Sequence, residues 1–274
     1  MLRKLLKHEF RATGRIMLPM IAILLATSVA ANLSLRYLMD SRTWFFNMVG
    51  GLLMVAFVIA IIGVFVVAFV LMVQRFYKNL LQDEGYVMLT LPVSIHQHIW
   101  SKLIVSSVWF IVTTLAVILA SCITAFDISI IKDILQGLGQ VLAELRKVQA
   151  YYAINGTAIA IEIIVLAFLA LVAMCLQFYA ALAAGHSLPS HKMAWSVVWY
   201  FGLQFVFQII GVSGIQLLDQ AGFFNWGIFY PEVHLSHMAE IHIGMLMVIF
   251  ATVAYGAVFY AITTFFLKKR LNLE

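Results

Sequence analysis

Charged residues are scarce in this sequence: Asp, Glu, Lys and Arg make up 11% of its 274 residues, whereas 64% are hydrophobic. The mean hydropathy is +1.02. A soluble domain carries roughly a quarter charged residues, so the composition excludes a soluble globular protein and predicts a membrane protein. Cysteine is also rare, and Cys122 and Cys175 fall in different apolar runs. Two separate thiols in apolar segments predict packing positions rather than a disulfide.

The sequence also lacks a common nucleotide-binding motif. No glycine is followed by lysine anywhere in the chain. A GxxxxGK[ST] loop, which cradles nucleotide phosphates, requires that dipeptide. The chain is therefore not expected to bind ATP in that way.

Six apolar runs are each long enough to cross a bilayer, which takes about 20 residues. Backbone groups in lipid must be satisfied within the segment, so uninterrupted runs predict helices. We predict an all-α polytopic membrane protein with six transmembrane helices in a single domain, residues 1–274. The predicted spans are 16–33, 47–73, 99–124, 157–184, 194–218 and 243–267.

The basic residues predict the orientation. Twelve of the 17 Lys and Arg residues fall at the two termini and around the loops after the second and fourth spans. Because cytoplasmic segments carry an excess of Lys and Arg, both termini are predicted to be cytoplasmic. These residues flank apolar spans rather than forming one groove, which argues against nucleic acid as a partner.

The first 15 residues predict an amphipathic helix that lies in the membrane interface. Its Lys and Arg residues share one side and reach anionic lipid headgroups, but Glu9 projects onto the apolar side. Two interpretations of Glu9 are open. It is either a partly hydrated residue at the helix edge, or a member of an ion pair with the cytoplasmic end of another span or with a partner.

Two segments are predicted on the outer side. Within residues 125–155, apolar residues recur with helical spacing, so this extracellular helix either lies on the membrane or forms a cap with a second subunit. Residues 219–241 carry no Lys or Arg and several aromatic residues. That composition predicts an outer loop that dips into the outer leaflet.

Few polar residues fall inside the predicted spans. Glu162 lies in the fourth span, where a charged carboxylate at mid-bilayer costs about 2.5–3.5 kcal/mol. It is either a substrate or proton contact or a structural residue bonded to a neighbour. Gln177, Gln204 and Gln208 predict hydrogen bonds between helices, and Gln204 and Gln208 are also candidates for a substrate pathway.

Two patterns offer weaker alternatives. Residues 211–214 read GVSG, similar to the GxSG of rhomboid intramembrane proteases, with Ser213 as nucleophile and His242 as base. A kink of small residues in a helix explains the same letters, and no histidine is followed by asparagine four positions later, as the rhomboid oxyanion motif requires. His234, His237, Glu240 and His242 have spacing that suits a metal site, although a solvated outer loop explains them as well.

Residues 75–94, RFYKNLLQDEGYVMLTLPVS, interrupt two long apolar runs. Arg75 and Lys78 close the preceding span, Gly85 permits a turn, and Pro92 ends a short apolar segment. That segment is too short to span a bilayer and too apolar for a solvated loop. It is therefore predicted to contact lipid headgroups or another protein.

This stretch and the opening LRKLLKHEFRATGR resemble the permease subunits of ABC-2-type transporters from Gram-positive bacteria. Six spans with cytoplasmic termini agree, so the resemblance covers essentially the whole chain. It implies a bacterial plasma membrane location, a connecting helix at 1–15, a coupling helix within 75–94 and short re-entrant helices within 219–241. The implied ATPase contacts are Gln82, Asp83, Glu84, Gly85 and Tyr86, with Glu9 and Arg11 nearby.

The resemblance also implies the assembly. A separate ATPase subunit would bind ATP and Mg, and a second permease copy would complete a homodimer or a heterodimer. The chain itself would be a transport subunit without enzymatic activity or cofactor, in contact with membrane lipids. Its outer helical segment resembles exporters of amphipathic peptide toxins of the phenol-soluble-modulin type. An amphipathic or antimicrobial peptide is therefore the expected substrate, and a lipid, glycolipid or hydrophobic drug is the alternative.

Overall fold

The computed structural model describes residues 2–39, 43–82, 92–125, 156–188, 190–220 and 237–269, with isolated positions 85, 136–137, 139–140, 143 and 147. Most of these residues are helical, and none of them lies in a strand. The helices are α1 (Leu2–Leu33) with a π-helical continuation (Ser34–Leu38), α2 (Trp44–Leu81), α3 (Ile95–Thr124), α4 (Gly156–Gly185), α5 (Lys192–Gln220) and α6 (His237–Lys269).

Each of these six helices contains a stretch long and apolar enough to cross a membrane, which confirms the six-span all-α prediction. The segment of the predicted connecting helix, residues 1–15, is helical from Leu2 onward and continues into the first span without a break, because α1 runs from Leu2 to Leu33. No turn-forming sequence separates the two parts, and Pro19 lies within the helix without ending it.

One compact unit consists of Met1–Phe76 and Pro92–Gln140. In it α1 packs along α3. Met17, Leu24 and Ala31 recur every seventh residue of α1, so they lie on one helix face. The other buried members of this core are Phe57, Val64, Ala68 and Leu71 of α2 and Ala120 of α3. The core is thus shared by three helices.

Polar contacts fix the far ends of these helices. The Asn32 side chain donates to the backbone oxygen of Thr124 at 3.1 Å, which ties the end of α1 to the end of α3. The Ser34 hydroxyl donates to the backbone oxygen of Gly50 at 2.8 Å. A Cβ at Gly50 would lie 3.0 Å from the Ser34 hydroxyl oxygen, so glycine allows α2 to approach the π-helical segment closely.

The second compact unit consists of Tyr77–Leu91 and Val141–Glu274. Here α4 packs against both α5 and α6. The last part of α4 is buried and rich in small residues, which let helix backbones approach closely in a membrane. A Cβ at Gly185 would collide with the backbone nitrogen of Ser196 on α5. Between these two helices His191 adopts a left-handed conformation, with φ of 50°.

Candidate functional site

Glu9 on α1 and Lys102 on α3 form a buried ion pair. The Lys102 Nζ lies 2.7 Å from the Glu9 Oε1, and the two side chains are 2% and 8% exposed. The Thr13 hydroxyl donates to the backbone oxygen of Glu9 at 2.8 Å and accepts from the Trp109 indole at 2.7 Å. Because a buried charge needs a partner, this α1–α3 ion pair holds the first turns of α1 against α3. Of the two interpretations of Glu9, the structure shows the ion pair with another span.

A pocket opens beside the α1–α3 ion pair, between α1, α2 and α3. Its cavity volume is about 10 Å³, which is room for about one water molecule. Its apolar lining comes from Met17, Ala68, Leu71, Met72 and Val105. Arg75 of α2 lines the same pocket, is half buried, and makes no hydrogen bond or ion pair with a described residue. Glu9 and Lys102 line this pocket as a pair of opposite charges.

Glu162 on α4 and His242 on α6 form a second, less buried pair. The His242 Nδ1 lies 2.7 Å from the Glu162 Oε1, and the side chains are 25% and 18% exposed. The carboxylate accepts this hydrogen bond whether the imidazole is neutral or protonated. The other carboxylate oxygen, Oε2, is shielded from solvent and has no hydrogen-bond partner among the described residues. The structural hydrogen bond of Glu162 is thus confirmed, and its role as a substrate or proton contact stays a prediction.

A neutral amide–phenol network joins α4, α5 and α6. The Gln177 amide nitrogen donates to the Gln204 Oε1 at 2.7 Å. The Tyr255 hydroxyl donates to the Gln177 Oε1 at 3.2 Å and lies 3.4 Å from the Gln204 Oε1. The predicted interhelical hydrogen bonds of Gln177 and Gln204 are confirmed. Gln208 is exposed, and no hydrogen bond joins it to the rest of the described chain.

Aromatic rings surround this network. The ring centroids of Phe207 and Phe259 lie 5.2 and 4.5 Å from that of Tyr255. Phe178 and Tyr200 stack at 4.6 Å between their centroids. This part of the second unit is therefore lined with aromatic rings and neutral amides and offers no fixed charge.

The ends of α2 and α4 meet at Tyr77 and His186. Their ring centroids are 5.1 Å apart in an edge-to-face arrangement, and the Gln82 amide donates to the Tyr77 hydroxyl at 3.1 Å. The buried His186 donates from Nδ1 to the backbone oxygen of Leu182 at 2.9 Å. Burial lowers the pKa of His186 from its ordinary 6.5; the bond to Leu182 opposes this shift and the positive charge of Lys192 adds to it. The imidazole is thus held neutral against Tyr77.

Only part of the predicted ATPase contact falls on residues that the structure describes. Asp83, Glu84 and Tyr86 lie outside them. Gly85 is buried, and its backbone N–H donates to the backbone oxygen of Gln82 at 2.6 Å. The predicted break near Gly85 involves residues 83–84 and 86–91, which lie outside the described part, so it stays a prediction.

The two predicted contacts on α1 have different surroundings. Arg11 is exposed, whereas Glu9 is 7% exposed and engaged with Lys102. Arg11 is accessible to a partner from this surface, and the Glu9 carboxylate is not. Most of the predicted outer segments, 125–155 and 219–241, lies outside the described residues.

The serine protease alternative receives no support from the described residues. Ser213 is an exposed residue of α5. No hydrogen bond joins it to His242, whose Nδ1 is instead bonded to Glu162. Of the candidate metal cluster, His234 and the side chains of His237 and Glu240 lie outside the described part. No group of three ligating side chains that could hold a metal occurs within the part that is described.

Four residues of these sites escaped the sequence reasoning: Lys102, Trp109, His186 and Tyr255. The charge pattern treats Lys102 as a flanking cation, although it stands opposite in sign to the one acid on the apolar face of α1. That complementarity was the available signal. For Tyr255 the signal was a phenol in an apolar helix, because a buried hydroxyl usually finds a hydrogen-bond partner.

Comparison with known proteins adds no relative: no family model, no curated protein and no solved structure matches this chain. The functional interpretation therefore depends on the residues and contacts described above.

Proposed function

We propose that this chain is the transmembrane permease subunit of an ATP-driven exporter of the ABC-2 type. It lies in a bacterial plasma membrane with both termini in the cytoplasm. Six helices that are long and apolar enough to span a bilayer support a membrane pathway. The absence of any Gly-Lys dipeptide supports a separate ATPase subunit that binds ATP and Mg. The excess of Lys and Arg at one set of helix ends supports the orientation.

The observation that carries the proposal is the contact between Tyr77 and His186. Tyr77 lies where α2 continues beyond its apolar run, and Gln82, the first residue of the proposed ATPase contact, holds its hydroxyl. Its ring packs against His186 directly after α4. A displacement of the segment that follows Gln82 therefore has a packed route to α4, which in turn packs on α5 and α6. Rigid helices transmit such a displacement as a whole, provided that the ATPase binds the two conformations differently.

The lining of the second unit supports an amphipathic or antimicrobial peptide as substrate. The amide–phenol network and its aromatic rings present apolar surface with neutral hydrogen-bonding groups. Glu162, an acidic side chain that the structure describes inside a span of this unit, is engaged by His242. Such a surface disfavours free ions and sugars. Two copies of the permease, identical or related, would enclose the pathway.

The proposed ATPase contact is tested by changing Asp83 and Glu84 together to alanine. Because these acids form the proposed contact, we expect the double variant to lose binding to the partner ATPase, or to lose stimulation of its ATP hydrolysis. The matched control is Asp133→Ala with Glu144→Ala, two acids assigned to the outer side. An unchanged ratio of permease to ATPase in the complex, together with unchanged ATP hydrolysis, would refute the proposed ATPase contact.

The coupling route is tested separately by Tyr77→Leu in proteoliposomes. We expect the ATPase to stay bound and to hydrolyse ATP, while transport of a synthetic amphipathic peptide falls about tenfold or more. Tyr37→Leu, which changes a tyrosine that is 69% exposed, should transport normally. Normal transport by the Tyr77→Leu variant would contradict coupling through the contact between Tyr77 and His186. Mass spectrometry of co-purified material distinguishes a peptide from a lipid, glycolipid or drug.

A further inference from the structure

We propose that one face of α5, centred on Gln208, is the surface through which two copies of this chain bind each other in the membrane. This face is named the α5 seam, and it consists of Val197, Phe201, Gln204, Gln208 and Gly211. The contact rests on the proposed pairing of two permease copies and specifies where they meet. Its test measures self-association without ATPase or ATP, whereas the exporter proposal is tested by ATPase binding and transport.

The spacing of the α5 seam suits a helix pair. Its members recur at intervals of four, three, four and three residues, so they lie on one side of the helix. This is the repeat with which one helix packs along another in a left-handed pair. All five residues are exposed. The seam therefore has the pattern of a packing surface, although this chain leaves it open.

The polarity of the α5 seam is unsuited to lipid. Among the six candidate spans of the described part, the one in α5 is the least apolar, and no residue of its most apolar stretch is buried. The Gln208 amide bonds to no described residue, and the Gln204 amide nitrogen donates to none. An amide left unsatisfied in hydrocarbon is unfavourable. By contrast, Phe205, Val206 and Ile209 on the other sides of α5 are exposed and apolar, as lipid contact requires.

A second copy of the chain supplies the missing partners. A two-fold axis brings the same residue of both copies together, so Gln208 meets its own equivalent. A primary amide both donates and accepts hydrogen bonds, which makes Gln208 self-complementary. The seam carries no charge, so identical copies do not repel each other there. Gly211 follows Gln208 by three residues, and nothing lies within 4 Å of its Cβ position. A small residue at this point lets two helix backbones approach closely.

The experiment measures energy transfer between donor-labelled and acceptor-labelled full-length chains in phosphatidylcholine liposomes, over a range of protein-to-lipid ratios. Gly211→Leu is compared with Gly202→Leu. Both glycines have open Cβ positions within one chain, but Gly202 lies roughly opposite the α5 seam on the helix. We expect Gly211→Leu to weaken self-association about tenfold or more, because the larger side chain separates the backbones. Gly202→Leu should change it less than about twofold.

The amide is tested by Gln208→Leu, which keeps most of the side-chain volume. Self-association should weaken about threefold or more, the equivalent of one lost hydrogen bond between membrane helices, and Gln208→Asn should retain part of it. Equal effects of the two glycine variants would overturn the α5 seam, and so would a wild-type chain that stays monomeric. If Gln208→Leu and Gly211→Leu reduced peptide transport but left self-association unchanged, the seam would line a pathway and the proposed contact would be wrong.

Discussion

Two acid–base pairs among the described residues have the same separation and different surroundings. Glu9 and Lys102 meet at 2.7 Å with side chains at most 8% exposed. Glu162 and His242 meet at the same distance but keep 18–25% of their side-chain surface exposed. Water cannot solvate either charge of the first pair. Water does reach the second pair, and its histidine is a group that can be neutral. The first unit therefore depends on a matched pair of charges, and the second on neutral hydrogen bonds and close helix packing.

The largest expected effect comes from breaking the first pair. Lys102→Met removes the ammonium group that pairs with the buried Glu9 carboxylate, and removing one member of a buried ion pair typically costs about 3–5 kcal/mol. We expect a loss of this size in the unfolding free energy of the purified chain, measured by denaturant titration in detergent. Glu162→Gln should cost no more than about 1.5 kcal/mol, because the amide oxygen still accepts from His242.

Two further variants show whether charge is the cause. Glu9→Gln combined with Lys102→Met removes both charges, so most of the lost stability should return. Arg11→Met changes an exposed residue two positions after Glu9 and should have little effect. If Lys102→Met and Glu162→Gln lowered the unfolding free energy by equal amounts, the proposed difference between the two pairs would be wrong.

The second prediction concerns close packing in the other unit. A Cβ at Gly185 meets the backbone of Ser196, and backbone cannot move aside as a side chain can. We expect Gly185→Ala to destabilise the chain by about 1–3 kcal/mol, the usual cost of overpacking. Gly202→Ala is the matched control, because nothing lies within 4 Å of its Cβ position. Alanine has the higher helix propensity, so this control should be neutral or stabilising by up to about 1 kcal/mol.

The third prediction uses pH to test whether the second unit keeps its buried groups neutral. Burial lowers the pKa of His186 in the folded chain below 6.5, so the unfolded chain binds the proton more readily. Stability contributed by this group is therefore present above pH 6.5 and lost as the pH falls toward the folded pKa. The slope should not exceed about 1.36 kcal/mol per pH unit.

The measurement is the unfolding free energy between pH 7.5 and 5. His186→Gln should flatten this dependence, whereas His8→Gln, an exposed histidine, should leave it as in the wild type. An identical slope for the wild type and His186→Gln would mean that His186 is not the group that titrates.

Some features of the fold and of the candidate site follow from the sequence, and others do not. The six spans follow from apolar runs, because length and hydropathy are local properties. The polar role of Gln177 also follows from local pattern. The partner of Glu9 does not, since Lys102 lies on another helix and pairing across helices depends on their rotation. The contact between Tyr77 and His186 does not follow from the sequence either, because predicting it requires knowing which helix ends meet.

The smallest effect is expected at the centre of the second unit. Tyr255→Phe removes one hydroxyl from the amide–phenol network but leaves the Gln177–Gln204 bond in place. Hydrogen bonds between membrane helices are worth about 0.6 kcal/mol on average, so the unfolding free energy should fall by about that amount. Tyr37→Phe, at an exposed tyrosine, should show no measurable change. If Tyr255→Phe instead cost as much as Lys102→Met, the neutral network would be as critical as the buried charges, and the contrast between the two units would disappear.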